Sequence, residues 1–430
     1  MIQKPKVTVV GSFNTDLLVR TRRMPVKGET ILGGPYLTGP GGKGANQAVA
    51  AARLGAEVAM VVQLGKDDFG DRAEENLRRE GIQADYVLRT ERTHTGVAFI
   101  IVDDAGDNMI VVAPGANELL SPTDVDAARE AIAKADILLL DLEVPMETIE
   151  RAAALAHDLG VRVVLNPAPG QPLSAELLRR VDVLTPNETE AHLITGLPMS
   201  NLEEAKTAGK HLLTQGVGAV AITLGALGAL IITDEGTQHI PGWQVQVVDT
   251  TGAGDAFNGA LAVALAEAQP LPQAVAFANA AAALQVTRIG TAPAMPLRAE
   301  VEAFMQAKPA HHALEVTQGE MLVFRSDGKW LYPLLDLEHY LVEHPYDPGS
   351  LTVRDKIIGR AAALLIVRLG IRHVHAGLLS ESGADVLRHF EVSFDFEHLV
   401  PQVACQTEIL LDGEFDLDKA HALILERARR

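Results

Sequence analysis

Short, wholly apolar runs alternate with alanine-rich amphipathic stretches over the first three hundred residues. Residues 7–13 form a β-branched run ending in Gly11-Ser12-Phe13, which fits a buried strand whose tip opens onto a loop. Comparable runs recur at 58–63, 137–142, 162–165, 183–184, 219–223 and 230–233. Strands that are apolar throughout and joined by helices predict a parallel sheet covered on both faces, hence an α/β fold. Helices are predicted at 48–54, stopped by Gly55, at 255–266, at 273–286 and in a last segment reaching Met305.

A second pattern lies within 12–38 and 95–113. Extended pieces follow one another there without intervening helices, and 95–103 with 108–113 predict a hairpin around Asp104-Ala105-Gly106. These pieces predict a small separate sheet covering a site. Around 306–313 the pattern gives way to Gln306-Ala307-Lys308-Pro309-Ala310-His311-His312, which reads as a linker between a domain over 1–305 and another over 314–430.

Polar residues gather where the apolar runs end: Asn14 and Asp16, Glu143, Asn166, Asn187 with Glu190, and Thr223 with Gly225 and Gly228. In open α/β sheets ligands bind at the carboxyl ends of the strands. Any one of these residues alone reads as a cap or turn residue, but their repetition on one rim predicts a site. Before the helix at 48–54, Gly41-Gly42-Lys43-Gly44-Ala45-Asn46-Gln47 lets backbone approach a ligand, with Lys43 and Asn46 as donors. The stretch from Asp249 to Ala260 reads as a strand end, a small-residue turn and a helix start. Gly252, Ala253 and Gly254 leave backbone N–H groups free to cradle an anion where the helix dipole favours one. Asp255 at that rim can accept the proton of an attacking hydroxyl.

Composition narrows the partners. The chain has 430 residues, 47% of them apolar, and a formal charge of −19. That charge, with no Lys/Arg run, argues against nucleic acid. No apolar run is long enough to span a bilayer, and a soluble cytoplasmic protein is expected. A single cysteine, Cys405, excludes an intramolecular disulfide and a cysteine-rich metal site.

Taken in order, Gly11-Ser12-Phe13-Asn14-Thr15-Asp16, the Gly41 to Ala48 segment, Asn166-Pro167-Ala168-Pro169, Thr185-Pro186-Asn187-Glu188-Thr189-Glu190, Thr223-Leu224-Gly225 with Gly228, and the Asp249 stretch resemble the ribokinase-like (PfkB) carbohydrate and nucleoside kinase family. The resemblance implies a three-layer α/β/α sandwich with a small β-sheet lid, and ATP-dependent phosphorylation of D-ribose at its 5-hydroxyl to give ribose 5-phosphate. It implies a sugar pocket of Asn14, Asp16, Gly42, Lys43, Asn46 and Glu143, with Asp255 as base beside an anion hole of Gly252, Ala253, Gly254 and Asp255. Asn187, Thr223, Gly225, Gly228, Gly254 and Asn279 would hold the nucleotide, and Glu190 would organise Mg²⁺ through water. Asp249, Thr251, Gln285, Arg288 and Gly290, mostly through backbone, would hold K⁺, although Ala294 stands where the family often carries a hydroxyl. A homodimer through the lid is implied. The alternatives are a kinase for another pentose or nucleoside, such as deoxyribose, and a sugar-binding regulator without turnover.

In the C-terminal part, 322–330 predicts a hairpin with an Asp-Gly turn, followed by a helix at 353–369, a strand at 373–379 and a helix at 382–389. The segments from Asp355 to Ala363 and from Phe394 to Pro401 resemble an uncharacterised family with a cytidine-deaminase-like fold, a smaller α/β domain. Deaminase chemistry needs a Pro-Cys-x-x-Cys pair, so neither zinc nor deamination is expected. His373 and His375 share a strand face, a spacing that reads as an exposed polar face without a third ligand.

Overall fold

The computed structural model describes residues 4–104, 108–243, 245–306, 314–319, 321–326, 328, 330–403, 407, 410–411 and 413–428. The chain divides into two compact units, Met1–Gln306 and Ala307–Arg430. The expected linker, beyond Gln306 itself, lies outside the described residues, as do Cys405 and most of the turn expected at 104–106.

In the first unit, nine strands run in the order Gly236–Pro241, Gly228–Thr233, Ala219–Thr223, Val183–Leu184, Arg162–Leu165, Ile137–Leu140, Lys6–Val10, Glu57–Gly65 and Val87–Thr90. Seven of them are parallel. Their centre is dry: all four residues of Ile137–Leu140 are buried, and helices cover the sheet. The expectation that 230–233 joins the parallel set is corrected, because Gly228–Thr233 pairs antiparallel with both neighbours. Only a short 3-10 turn, Gly225–Leu227, precedes it, and a parallel connection needs a crossover of about a dozen residues.

The lid is a four-stranded sheet in the order Tyr36–Gly41, Asn14–Arg20, Val97–Val102 and Asn108–Ala113. Two expected boundaries move. The first buried strand stops at Val10, so Asn14 and Asp16 stand on a lid strand of their own. The extended piece expected at 30–38 is regular only over Tyr36–Gly41, where it pairs with Asn14–Arg20. That shift matters, since the lid strand leads directly into Gly42 and the helix Lys43–Arg53.

Two helices set the site. Lys43–Arg53 packs on Ala253–Ala266, and a Cβ at Gly259 would lie 2.6 Å from Ala50 Cβ and 2.7 Å from Gln47 O. Glycine there lets the two helices touch backbone to backbone. Their N-termini therefore converge.

The second unit is a five-stranded sheet in the order Met321–Ser326, Leu314–Gln318, Leu351–Ile358, His373–Ser380 and Ser393–Val400, with the last three parallel. The helix expected over 353–369 is corrected: its first part is the strand Leu351–Ile358, and only Arg360–Arg368 is helical. The reason is pairing. Val353 lies between Val316 and Val374 in the sheet, so alternate apolar residues gain a strand face that a helix would not offer them. The hairpin expected across Asp327-Gly328 forms instead between Leu314–Gln318 and Met321–Ser326, turning at Gly319 with φ of 60°. His375 faces Asp395 and Glu397 across the neighbouring strand, and His373 is exposed. No helix among the described residues is long and apolar enough to cross a membrane.

Candidate active site

Asp255 stands in the first turn of the helix Ala253–Ala266, whose cap is Gly252 in a left-handed conformation (φ 86°). A side chain with Cβ strains at that φ, so glycine allows the turn to enter the helix. Ala253 N–H turns back to Thr250 O at 3.3 Å, while among the described residues the amides of Gly254 and Asp255 take no protein carbonyl. Nothing would lie within 4 Å of a Cβ on Gly254, so the space over these amides is open.

The Asp255 carboxylate is buried, at 6% exposure, yet fully partnered. Asn46 Nδ2 donates to Oδ2 at 2.9 Å and Gln47 Nε2 to Oδ1 at 3.2 Å. Burial raises its pKa; Lys43 and the two amides oppose that rise, and Glu143 adds to it. Lys43 is deeply set. Burial works against its charge, but Asp255, Glu143, Glu190 and Asp141 outweigh that and leave its pKa above the ordinary value.

Glu143 Oε2 accepts from Ser12 Oγ (2.6 Å), Asn14 Nδ2 (3.3 Å) and Lys43 N (3.2 Å). Behind it Asp141, wholly buried, accepts from Glu143 N (2.8 Å) and Ser12 N (3.2 Å), and burial beside Glu143 pushes its carboxyl up to about 8. A Cβ on Gly11 would collide with Asp141, and one on Gly42 (φ 86°) with Asn14 N and Phe13, so both glycines are dictated by close approach. Asp16 joins this group of charges from the lid strand. Burial pushes its pKa up to about 7 against the Thr291 hydroxyl's hydrogen bond (3.3 Å), with Glu143 and Asp255 repelling its charge. A Cβ on Gly41 would overlap its carboxylate.

The structure thus brings Asn14, Asp16, Gly42, Lys43, Asn46, Glu143 and Asp255 together. Sequence reasoning missed Ser12, Gln47, Asn117 and Asp141. Asn117 donates to Asn14 Oδ1 (2.9 Å) and Phe13 O (2.9 Å), fixing the start of the lid strand Asn14–Arg20. Gln47 also donates to Asn166 Oδ1 (3.1 Å), and a chain of buried amides continues through Thr185 and Asn258 (2.6 Å) to Gly254 O (2.8 Å).

On the other side of the cradle, Asn187 caps the helix Glu188–Thr195 in a reciprocal box with Glu190: Asn187 Oδ1 accepts from Glu190 N and Glu190 Oε2 from Asn187 N. Asn187 bridges to Thr223, whose N–H donates to Pro186 O at 2.9 Å. Gly225 and Gly228 both have positive φ, and a Cβ on Gly228 would collide with Ile240 O. Asn279 donates to Ile240 O (3.0 Å) and Pro241 O (3.2 Å), so its amide nitrogen braces the next strand's end rather than opening outward. Burial raises the Glu190 pKa, while Asn187 N–H and Lys43 lower it. That coupling to Lys43 and Asp255 sets Glu190 beside the cradle. With one oxygen in the helix cap and a hard carboxylate oxygen remaining, it fits a hydrated Mg²⁺.

The expected monovalent-cation residues do meet, but around a side chain. Gln285 Nε2 donates to Thr251 O and Gly290 O, Asp249 accepts from Thr251 N and Gly290 N, and Gln285 O accepts from Arg288 N. The Arg288 guanidinium pairs with Glu300.

Comparison with known proteins gives each unit a family match. Residues 315–408 match a domain of unknown function, DUF1893. Residues 4–298 match the pfkB family carbohydrate kinases. A ribokinase of Haemophilus influenzae is 42% identical over 300 residues, covering 70% of this chain and 98% of that one. A deoxyribokinase of Salmonella typhi is 38% identical, covering 67% and 95%. The structure of Arabidopsis thaliana ribokinase complexed with ribose and ATP superposes with a TM-score of 0.67 at 35% identity, covering 71% of this chain and 99% of that one. Through residues 4–298, the chain belongs to the pfkB family of carbohydrate kinases.

Proposed function

We propose that the first unit transfers the γ-phosphoryl group of ATP to the 5-hydroxyl of D-ribose, with Asp255 as general base. The observation that carries this reading is the meeting, at one helix start, of a buried carboxylate, an ammonium and open backbone amides. The ribokinase relatives and the ribose and ATP of the Arabidopsis complex support the substrates.

Asn14, Asp16, Lys43, Asn46 and Glu143, with backbone at Gly42, offer acceptors and donors to vicinal sugar hydroxyls. Asp255 takes the hydroxyl proton as that oxygen attacks phosphorus in line. The amides of Gly254 and Asp255, with the Gly252-Ala253 turn and the Lys43 ammonium, stabilise charge spread over the phosphoryl oxygens. Asn187, Thr223, Gly225 and Gly228 shape the nucleotide side, with Asn279 holding the strand behind them. Glu190 would hold Mg²⁺ through water, and that ion, when bound, supplies charge neutralisation on the phosphates. The lid would exclude water that otherwise hydrolyses ATP.

The test is ADP release by the purified full chain. ADP formed only when ribose is present supports the kinase; ribose binding without ADP would make the protein a regulator. Faster turnover with deoxyribose would transfer the assignment to the substrate named for the Salmonella relative.

The lid also supports a homodimer. Phe99 and Val111 pair across neighbouring lid strands and are 51% and 65% exposed, with Tyr36 and Met109 exposed on the same face. An apolar sheet face of this kind marks an interface. Light scattering should give a dimer for the native chain and a monomer for Phe99→Asp. A monomeric native chain would remove the lid from this role.

For the second unit, we read a cytidine-deaminase-like fold with a binding, regulatory or stabilising role. Its mixed sheet, with one antiparallel hairpin and three parallel strands alternating with Arg360–Arg368 and Glu381–His389, supports that reading. The domain boundary is proposed at the 306–313 linker.

A further inference from the structure

Behind the anion cradle, the place where a monovalent cation would sit is closed by the chain itself. Gln285 ends the helix Leu271–Gln285 and is completely buried. Its Nε2 donates to Thr251 O and, at 2.9 Å, to Gly290 O. These two carbonyls belong to the turn entering Ala253–Ala266 and to the loop that follows Gln285. They are two of the oxygens a cation would need.

Three further candidate oxygens already accept hydrogen bonds. Asp249 Oδ1 accepts from Thr251 N (2.9 Å) and Oδ2 from Gly290 N (3.0 Å), and Gln285 O accepts from Arg288 N (3.1 Å). Position 294 is a buried alanine, which adds no oxygen. With no cation between them, the opposite amide orientation would put Gln285 Oε1 against two carbonyl oxygens, so the donor faces them. Oε1 then points into the interior with no partner, a penalty the two N–H bonds offset. A Cβ on Gly252, the cap before Asp255, would lie 3.4 Å from the same Nε2. The amide is thus in contact range of the cradle's first residue.

A cation and a primary amide can do the same structural work here, since each draws two carbonyl dipoles toward one positive centre. We propose that Gln285 is a built-in substitute for a monovalent cation: its amide ties the 249–252 turn to the 286–291 loop and sets the cradle without K⁺. The consequence for turnover rests on the kinase reading above; the consequence for ion binding does not.

The experiment compares the full chain in potassium chloride and in tetramethylammonium chloride at equal ionic strength, by melting temperature and by ribose-dependent ADP release. Native protein should melt alike in both and turn over within about twofold. Gln285→Ala removes the tether, so its turnover in tetramethylammonium should fall roughly tenfold, the scale of losing two buried hydrogen bonds, and K⁺ should restore it. Crystals of the native chain soaked in thallium(I) should show no anomalous density between Thr251 O and Gly290 O. Density there, a K⁺-dependent rise in the native melting temperature, or a several-fold stimulation of native turnover by K⁺ would overturn the proposal, as would a Gln285→Ala enzyme indifferent to both salts. If no ribose-dependent ADP forms in either salt, the kinase reading fails, and melting and thallium density still decide the role of Gln285.

Discussion

Replacing Asp255 by asparagine should lower kcat by roughly two to four decades, the range for losing a general base, while ribose affinity stays near that of the native protein. The substitution keeps size and shape, so the helix start and its open amides remain. What changes is one atom: the amide nitrogen that replaces a carboxylate oxygen cannot take a proton. Asn46 and Gln47 both donate to the native carboxylate, so one of them will face another N–H₂ group in the variant. That local conflict is small beside the loss of the base. Calorimetric ribose binding and ADP release separate the two, and undiminished turnover would take Asp255 out of the base role. The acid limb of kcat/KM should also carry this group. Its pKa is raised, chiefly by burial, so activity should fail at a higher pH than an exposed aspartate would give.

Much of this arrangement is legible in the sequence, and the reasons differ by residue. The parallel core follows from runs such as 137–140, which are buried on both faces and so carry no polar alternation. Asp255 stands out because its small-residue turn before a helix accompanies a rim of polar residues at the other strand ends; alone it would read as a helix cap. Asp141 does not stand out. It ends an apolar run, and its partners at Gly11 and Ser12 come near only because Val7 pairs with Ile137 in the sheet, 130 residues away in the chain. Gln47 is hidden for a similar reason: as one residue of a polar helix start it looks like Asn46, and only the close helix contact at Gly259 turns it onto Asp255. The strand Leu351–Ile358 reads as helix because Val353, Ile357 and Ile358 followed by an alanine run satisfy a helical period as well as a strand one, and its sheet partners decide between them. Gln285 shows a different limit. A resemblance assigns its backbone a ligand role, while the structure gives the position to its side chain.

Replacing Asp16 by asparagine should make the protein more stable at pH 8 and a far poorer ribose binder. Asp16 is largely buried among the charges of Glu143 and Asp255, and its folded pKa, about 7, lies above the unfolded value of 3.8. Between those two values the native state keeps a proton that the unfolded state releases. Stability contributed by this group is therefore present below pH 3.8 and declines as pH rises through 7. The difference of about three pH units sets a ceiling of about 4 kcal/mol on the strain relieved at pH 8. A neutral amide removes it, so the melting temperature of Asp16→Asn should exceed the native one at pH 8 and converge with it near pH 4. Ribose affinity should move the other way. Losing a charged acceptor for two hydroxyls weakens binding by roughly a hundredfold or more, since hydrogen bonds to charged groups contribute about 1.5–3 kcal/mol each. Bound sugar would also offset the native strain, because its hydroxyls donate to the ionised carboxylate. Ribose should thus raise the native melting temperature more at pH 8 than at pH 5, and this difference should vanish in the variant. Scanning calorimetry from pH 4 to 9, with and without ribose, measures all of these at once. A variant that binds ribose like the native chain would remove Asp16 from the sugar site, and one that melts lower at pH 8 would show that its charge is already compensated.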